Sequence, residues 1–129
     1  MKARMKTIIS GAVLGLTLLA KTVPSWAGAT SVREVMVGGT WAIGSVASAR
    51  YSADGRQEIG CSTGNLAAPP NINCYASDKN GNHRVCLSDN PNFLPLIEAI
   101  TDYSEIYFSA TSAGVCNTIS INNSSDHLR

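Results

Sequence analysis

Four cysteines, Cys61, Cys74, Cys86 and Cys116, constrain what this chain can fold into more than any other feature. All of them follow an N-terminal segment built like a secretory signal peptide. Lys2, Arg4 and Lys6 come first, an apolar run from Ile8 to Ala20 follows, and Pro24 precedes the small-residue site Ser25-Trp26-Ala27. The apolar run is about 13 residues, short of the roughly 20 that span a bilayer. Residues 1–27 therefore read as a cleaved signal, with Ala27-Gly28-Ala29 as a neighbouring cleavage site. No cysteine stands at either site to take a lipid anchor. Residues 28–129 are expected to be one domain, soluble and not inserted in a membrane, in the periplasm or outside the cell. There, an even set of thiols pairs as disulfides.

Export also changes the charge. Four of the ten basic residues (Lys2, Arg4, Lys6 and Lys21) leave with the signal and none of the nine acids do, so the net charge goes from +1 to −3. The remaining bases, Arg33, Arg50, Arg56, Lys79, Arg84 and Arg129, are scattered along the chain. Nucleic-acid binding requires a concentrated positive surface that releases phosphate counterions, and none is expected here. The partner is instead expected to be another protein.

The cysteine spacings, 12, 11 and 29 intervening residues, contain no C-x-x-C pair and match no zinc module. Nothing in the sequence points to a metal or a cofactor. Four cysteines allow three connectivities, and strand parity favours one, because alternate residues of a strand face opposite ways. Cys61 shares a face with Gln57 and Ile59, and Cys74 with Ile72 and Ala76, so both have apolar neighbours. Cys86 lies opposite Val85 and Leu87, and Cys116 opposite Val115, Ile119 and Ile121, which gives both polar neighbours. Same-face partners are favoured, since bridged Cβ atoms must come within about 4.5 Å. This predicts Cys61–Cys74 and Cys86–Cys116. The rival is Cys74–Cys86 across a tight hairpin, with Cys61–Cys116.

Strand-like runs recur at short spacing: 40–43, 44–51, 57–62, 72–77, 83–88, 105–110 and 115–122, with residues 30–37 fitting either a strand or a helical turn. Asp54-Gly55 and Asn80-Gly81 are hairpin signals, and Ser112-Ala113-Gly114 marks a third turn. Pro69-Pro70 and Gly64 make 62–71 a loop. One helix is expected: Ser88, Asp89 and Asn90 offer caps, Pro91 suits a first turn, and Phe93, Ile97 and Ile100 recur at i, i+4 and i+7. The fold class is mainly β, an antiparallel sandwich or barrel-like domain of about six strands with one short helix and two disulfides.

The segment Ala49-Arg50-Tyr51-Ser52-Ala53-Asp54, continuing Arg56-Gln57-Glu58-Ile59-Gly60-Cys61, resembles one found in small exported bacterial proteins of unassigned function. Cys74-Tyr75-Ala76, Cys86-Leu87-Ser88-Asp89, Ile106-Tyr107-Phe108 and Gly114-Val115-Cys116 extend the resemblance from about residue 44 to 124. It implies a common domain held by four cysteines, and no activity. The Asn122 and Asn123 sequons are not expected to carry glycans in a bacterial protein.

No catalytic motif stands out. His83 is the candidate acid–base residue, because imidazole titrates near neutral pH. Glu58 is its candidate carboxylate partner, and Arg84 and Arg50 are candidate cations. His127 falls in the polar tail. Beside an Asn-Gly turn, an exposed His83 is also what a plain turn requires. Asp54, Arg56 and Glu58 at alternate positions are expected on one strand face, as structural charges or a recognition edge. Asp78, Asn80 and Asn82 resemble a calcium loop only loosely, since no glutamate stands at the bidentate position and the glycine is misplaced. Aromatics at Trp41, Tyr51, Tyr103, Tyr107 and Phe108 are expected mostly in the core. The expectation is a protein-binding module without catalysis, an inhibitor, immunity-type or envelope accessory protein. Its contacts are expected at loop 62–71 and the Asp54-Gly55 and Asn80-Gly81 tips. The alternative is a small secreted hydrolase of cell-wall glycan or RNA using His83 with Glu58.

Overall fold

The computed structural model describes residues 32–64 and 69–124. The signal segment, the middle of loop 62–71, and the tail with His127 lie outside the described residues. Among the described residues, seven strands form: β1 (Met36–Val37), β2 (Trp41–Ser45), β3 (Glu58–Thr63), β4 (Ile72–Ser77), β5 (His83–Ser88), β6 (Glu105–Ala110) and β7 (Cys116–Asn122). They make two antiparallel sheets, one of four strands in the order β1-β2-β6-β7 and one of three in the order β3-β4-β5. Both sheets contribute to one core, in which Phe108, Ile106 and Ile72 are fully buried.

The expected pairing is present: Cys61–Cys74 ties β3 to β4, and Cys86–Cys116 ties the second sheet to the first. Strand parity holds for Cys61 and Cys74 and fails for Cys86 and Cys116. Cys74, Cys86 and Cys116 lie in the core, the first two fully buried and the third nearly so, and the partly buried Cys61 packs against it, whereas Cys86 and Cys116 were expected on polar faces. In β7 the reason is an irregularity. Thr118 pairs with Ser109 but Cys116 pairs with Ala110, so one extra residue shifts the alternation and puts Cys116 on the face of Ile119. In β5 the whole strand is inverted, and Val85 and Leu87 face outward at 51% and 53% exposure.

The register also explains the connectivity, because Cys74 lies opposite Cys61 on one side and opposite Cys86 on the other. A strand residue points its N–H and C=O to the same side, so it forms a narrow, non-hydrogen-bonded pair with only one neighbour. The Cα atoms of Cys61 and Cys74 are 4.0 Å apart, which marks the narrow pair. Cys86 occupies the wide position and is left for Cys116.

Residues 44–51 do not form the expected single strand. β2 ends at Ser45 and the chain turns into α1 (Val46–Arg50), which buries Ala47, Ser48 and Ala49 in succession. Alanine is the best helix former, and a strand cannot turn three successive residues to one core. Asp54-Gly55 consequently joins α1 to β3 instead of closing a β-hairpin. Asp54, Arg56 and Glu58 do not share a strand face either, since β3 begins only at Glu58. Asp54 instead holds the turn, accepting from the backbone N–H groups of Arg56 (2.8 Å) and Gln57 (3.2 Å) and from the Gln57 amide (2.7 Å). The Gln57 carbonyl oxygen in turn accepts from Val35 N–H at 2.9 Å, so the turn is fastened to the segment before β1.

The other two turns match expectation. At the β4–β5 hairpin, Gly81 has φ 85°, a conformation glycine adopts without steric cost. Asp78 accepts from Asn80 N–H, Asn82 N–H and the Asn82 amide, so the residues that resembled a calcium loop are engaged with one another. The expected helix is a 3-10 turn (Pro91–Phe93) running into α2 (Leu94–Glu98), with Asn90 capping Asn92 N–H at 3.0 Å. Phe93, Ile97 and Ile100 pack on the core as the stripe required. The aromatics expected mostly in the core are mostly outside it: Phe108 is fully buried, Tyr107 is half-buried, and Trp41 (36%), Tyr51 (68%) and Tyr103 (46%) are exposed.

Candidate functional site on the outer face of the second sheet

Register places three rows of side chains on the outer face of β3-β4-β5. Glu58, Ser77 and His83 form the first, Gly60, Tyr75 and Val85 the second, and Ser62, Asn73 and Leu87 the third. The Asp78–Asn82 turn fixes this register by closing the hairpin one residue beyond Ser77.

The first row brings the two sequence candidates together, though not in direct contact. Ser77, 3% exposed, lies between them, with its Oγ 3.0 Å from Glu58 Oε1 and 2.5 Å from His83 Nδ1. A serine hydroxyl has one proton to give. With that proton donated to Glu58, the assignment places a proton on His83 Nδ1, which donates to Oγ and leaves Nε2 as the basic ring atom. The row can therefore pass a proton between imidazole and carboxylate. Ser77 itself is too enclosed to act as a nucleophile. Sequence reasoning missed Ser77, although strand parity alone places it beside both residues once the hairpin register is known.

The candidate cations are elsewhere. Arg84 is on the opposite face of β5 and donates from Nη2 to Gly38 O at 3.0 Å, while Arg50 forms an exposed ion pair with Asp102 at 3.5 Å. Arg33 and Lys79 are likewise paired, with Glu105 (2.9 Å) and Glu34 (3.0 Å). The Glu34 hydrogen bond raises the Lys79 pKa above its ordinary value. Hydrogen bonds from the Asn82 amide hold Asp78, and from the Gln57 amide hold Asp54, below the ordinary carboxylate value.

Beyond the first row the face becomes apolar at Tyr75 and along β5, at Val85 in the second row and Leu87 in the third, whose other members, Ser62 and Asn73, are polar. The Tyr75 hydroxyl lies over Gly60, where an added Cβ would sit 2.9 Å away, so the missing side chain makes room for it. Val85 and Leu87 follow on β5. The strip then crosses to the other sheet, where Leu87 N–H donates to Gly114 O at 2.9 Å and Leu87 bridges Val115, itself 49% exposed. Pro69, Pro70, Leu87 and Val115, with Asn71, Ser88 and Asp89, line a shallow groove of about 400 Å³. Part of the expected contact loop, Pro69 to Asn71, therefore adjoins this strip. Sequence reading set Cys86 opposite Val85 and Leu87 with polar neighbours, and no local signal shows that the cysteine between them takes the inward position.

No protein-family model, curated protein or solved structure matches the chain.

Proposed function

We propose that this chain is an exported, non-catalytic protein-binding module whose contact surface is the outer face of β3-β4-β5. The observation that carries this reading is the continuous exposure of Val85, Leu87 and Val115 beside Tyr75 and the Pro69-Pro70 groove. Scattered exposed apolar residues need no explanation, but neighbouring ones on one rigid face are characteristic of an interaction surface. The disulfides and the β ladder hold that surface in shape, which lowers the ordering cost of binding. The partner is a protein presenting apolar side chains, consistent with an inhibitor, immunity-type or envelope accessory role.

The test is affinity capture from the envelope and culture fluid of the source cell, using the oxidised mature protein beside Leu87→Asp, Val115→Asp and Arg50→Ala. One stoichiometric protein retained by the parent and Arg50→Ala, and lost with both aspartate variants, supports the reading. Capture insensitive to Leu87→Asp and Val115→Asp overturns it.

A second reading is favoured by one observation, the Glu58–Ser77–His83 row: a small hydrolase acting on cell-wall glycan or RNA, with His83 and Glu58 exchanging a proton through Ser77. It requires His83→Ala or Glu58→Gln to cut turnover about a hundredfold.

A further inference from the structure

The two disulfides are not isolated from one another. The Sγ atoms of Cys74, Cys86 and Cys116 all lie within 4.8 Å of one another, and Cys61 is bonded to Cys74. The four sulfurs thus form one contiguous group across β3, β4, β5 and β7. Their accessibility is graded. Cys74 and Cys86 are fully buried and Cys116 is 6% exposed, whereas Cys61, on strand β3, is only partly buried.

We infer that Cys61 is the site at which an external thiol attacks, and that Cys74 carries the exchange inward to the Cys86–Cys116 disulfide. A small thiolate attacks Cys61 Sγ, forming a mixed disulfide and expelling Cys74 as a thiolate. Cys74 Sγ then attacks Cys86 or Cys116, forming a new disulfide and expelling the other sulfur, which takes up a proton. A second thiol resolves the mixed disulfide at Cys61. The sum is two external thiols oxidised to one disulfide, and a protein with one disulfide through Cys74 and two free thiols. Exchange requires only that a thiolate reach a disulfide sulfur. The freed Cys74 Sγ, no more than 4.8 Å from those of Cys86 and Cys116, has at most about 1–2 Å to close to a reactive separation. An external thiol, by contrast, reaches the buried pair only after local unfolding. The substrate class is a small thiol or dithiol, and the role of Cys74 is that of an internal relay.

The experiment is partial reduction of the oxidised protein with dithiothreitol, quenched in acid at successive times, alkylated with N-ethylmaleimide and mapped as non-reduced peptides. The expected intermediate carries label on Cys61 and a peptide joining Cys74 to Cys86 or Cys116. A time course that passes from intact protein to labelled Cys61 and Cys74 with only Cys86–Cys116 remaining, and never yields a Cys74-linked peptide to either, overturns the inference. Cys61→Ser is a second test: at pH 8 without external thiol its free Cys74 is expected to redistribute among Cys86 and Cys116. A map showing only Cys86–Cys116 in that variant has the same refuting force.

Discussion

The outward placement of Leu87 and the inward placement of its neighbours can be tested by paired truncation. Leu87 on β5 is 53% exposed, while Ile72 on the adjacent strand is 0% exposed. Full burial of a leucine or isoleucine side chain is worth about 1.5–3 kcal/mol. Half of that contact is missing at Leu87, and water fills whatever space truncation opens. Leu87→Ala should therefore cost no more than about 1 kcal/mol. Ile72→Ala removes buried atoms and leaves a cavity, a change that costs about 2–5 kcal/mol. For a domain of about 100 residues, each kcal/mol moves Tm by about 4–8 °C. Ile72→Ala should then melt at least about 8 °C lower, and Leu87→Ala no more than about 4–8 °C lower, at most half of the Ile72→Ala shift. Thermal and guanidinium unfolding of the oxidised proteins, followed by circular dichroism, measures both. Equal losses would place Leu87 in the core. The inward position of Cys86 and the exposed apolar face would then be refuted together.

Loss of Cys86–Cys116, which closes the longer loop (sequence separation 30 against 13), should cost about 3.7 kcal/mol and loss of Cys61–Cys74 about 3 kcal/mol on the chain-entropy model. Denaturant midpoints of the two double-serine variants test that order. Gly44→Ala places a Cβ 2.9 Å from the Val35 backbone and 2.8 Å from its side chain, so about 1–3 kcal/mol should be lost by the same assay, where a neutral result would contradict the close packing of residue 35 on β2. Asp54 and Asp78 titrate lower in the fold than their ordinary value of 3.8, so their stabilisation is present above that pH and is lost as pH falls through the folded values. Unfolding midpoints measured between pH 5 and 2 should fall at the acid end, and less steeply in Asp78→Asn.

Much of the fold was legible because it is written in local chemistry. Asn80-Gly81 permits the positive φ of a tight turn, and the apolar stripe after Pro91 can be satisfied only by packing a short helix on a sheet. The misread element, 44–51, shows the limit of periodicity. Ala47 and Ala49 alternate with Ser48 as a strand requires, but a helix buries all three, and only the tertiary surroundings choose between the two. The candidate site was legible in its members and not in its arrangement. His83 and Glu58 could be picked out by type, whereas their meeting through Ser77 depends on a register set by the Asp78 turn.

The cysteines carry this furthest. Face parity reached the observed pairing while misplacing Cys86 and Cys116, because two departures, an inverted β5 and an irregular β7, moved both to the core face together. Sharing a face was the necessary condition, and it survived. It was not sufficient, since the register sets Cys74 opposite both Cys61 and Cys86. The choice between them rests on backbone hydrogen bonding, which allows Cys74 one narrow pair and gives it to Cys61. Inward cysteines also explain the apolar outer face. On β5, turning Cys86 toward Cys116 necessarily turns Val85 and Leu87 outward, so the same constraint that fastens the two sheets together exposes the surface proposed for binding.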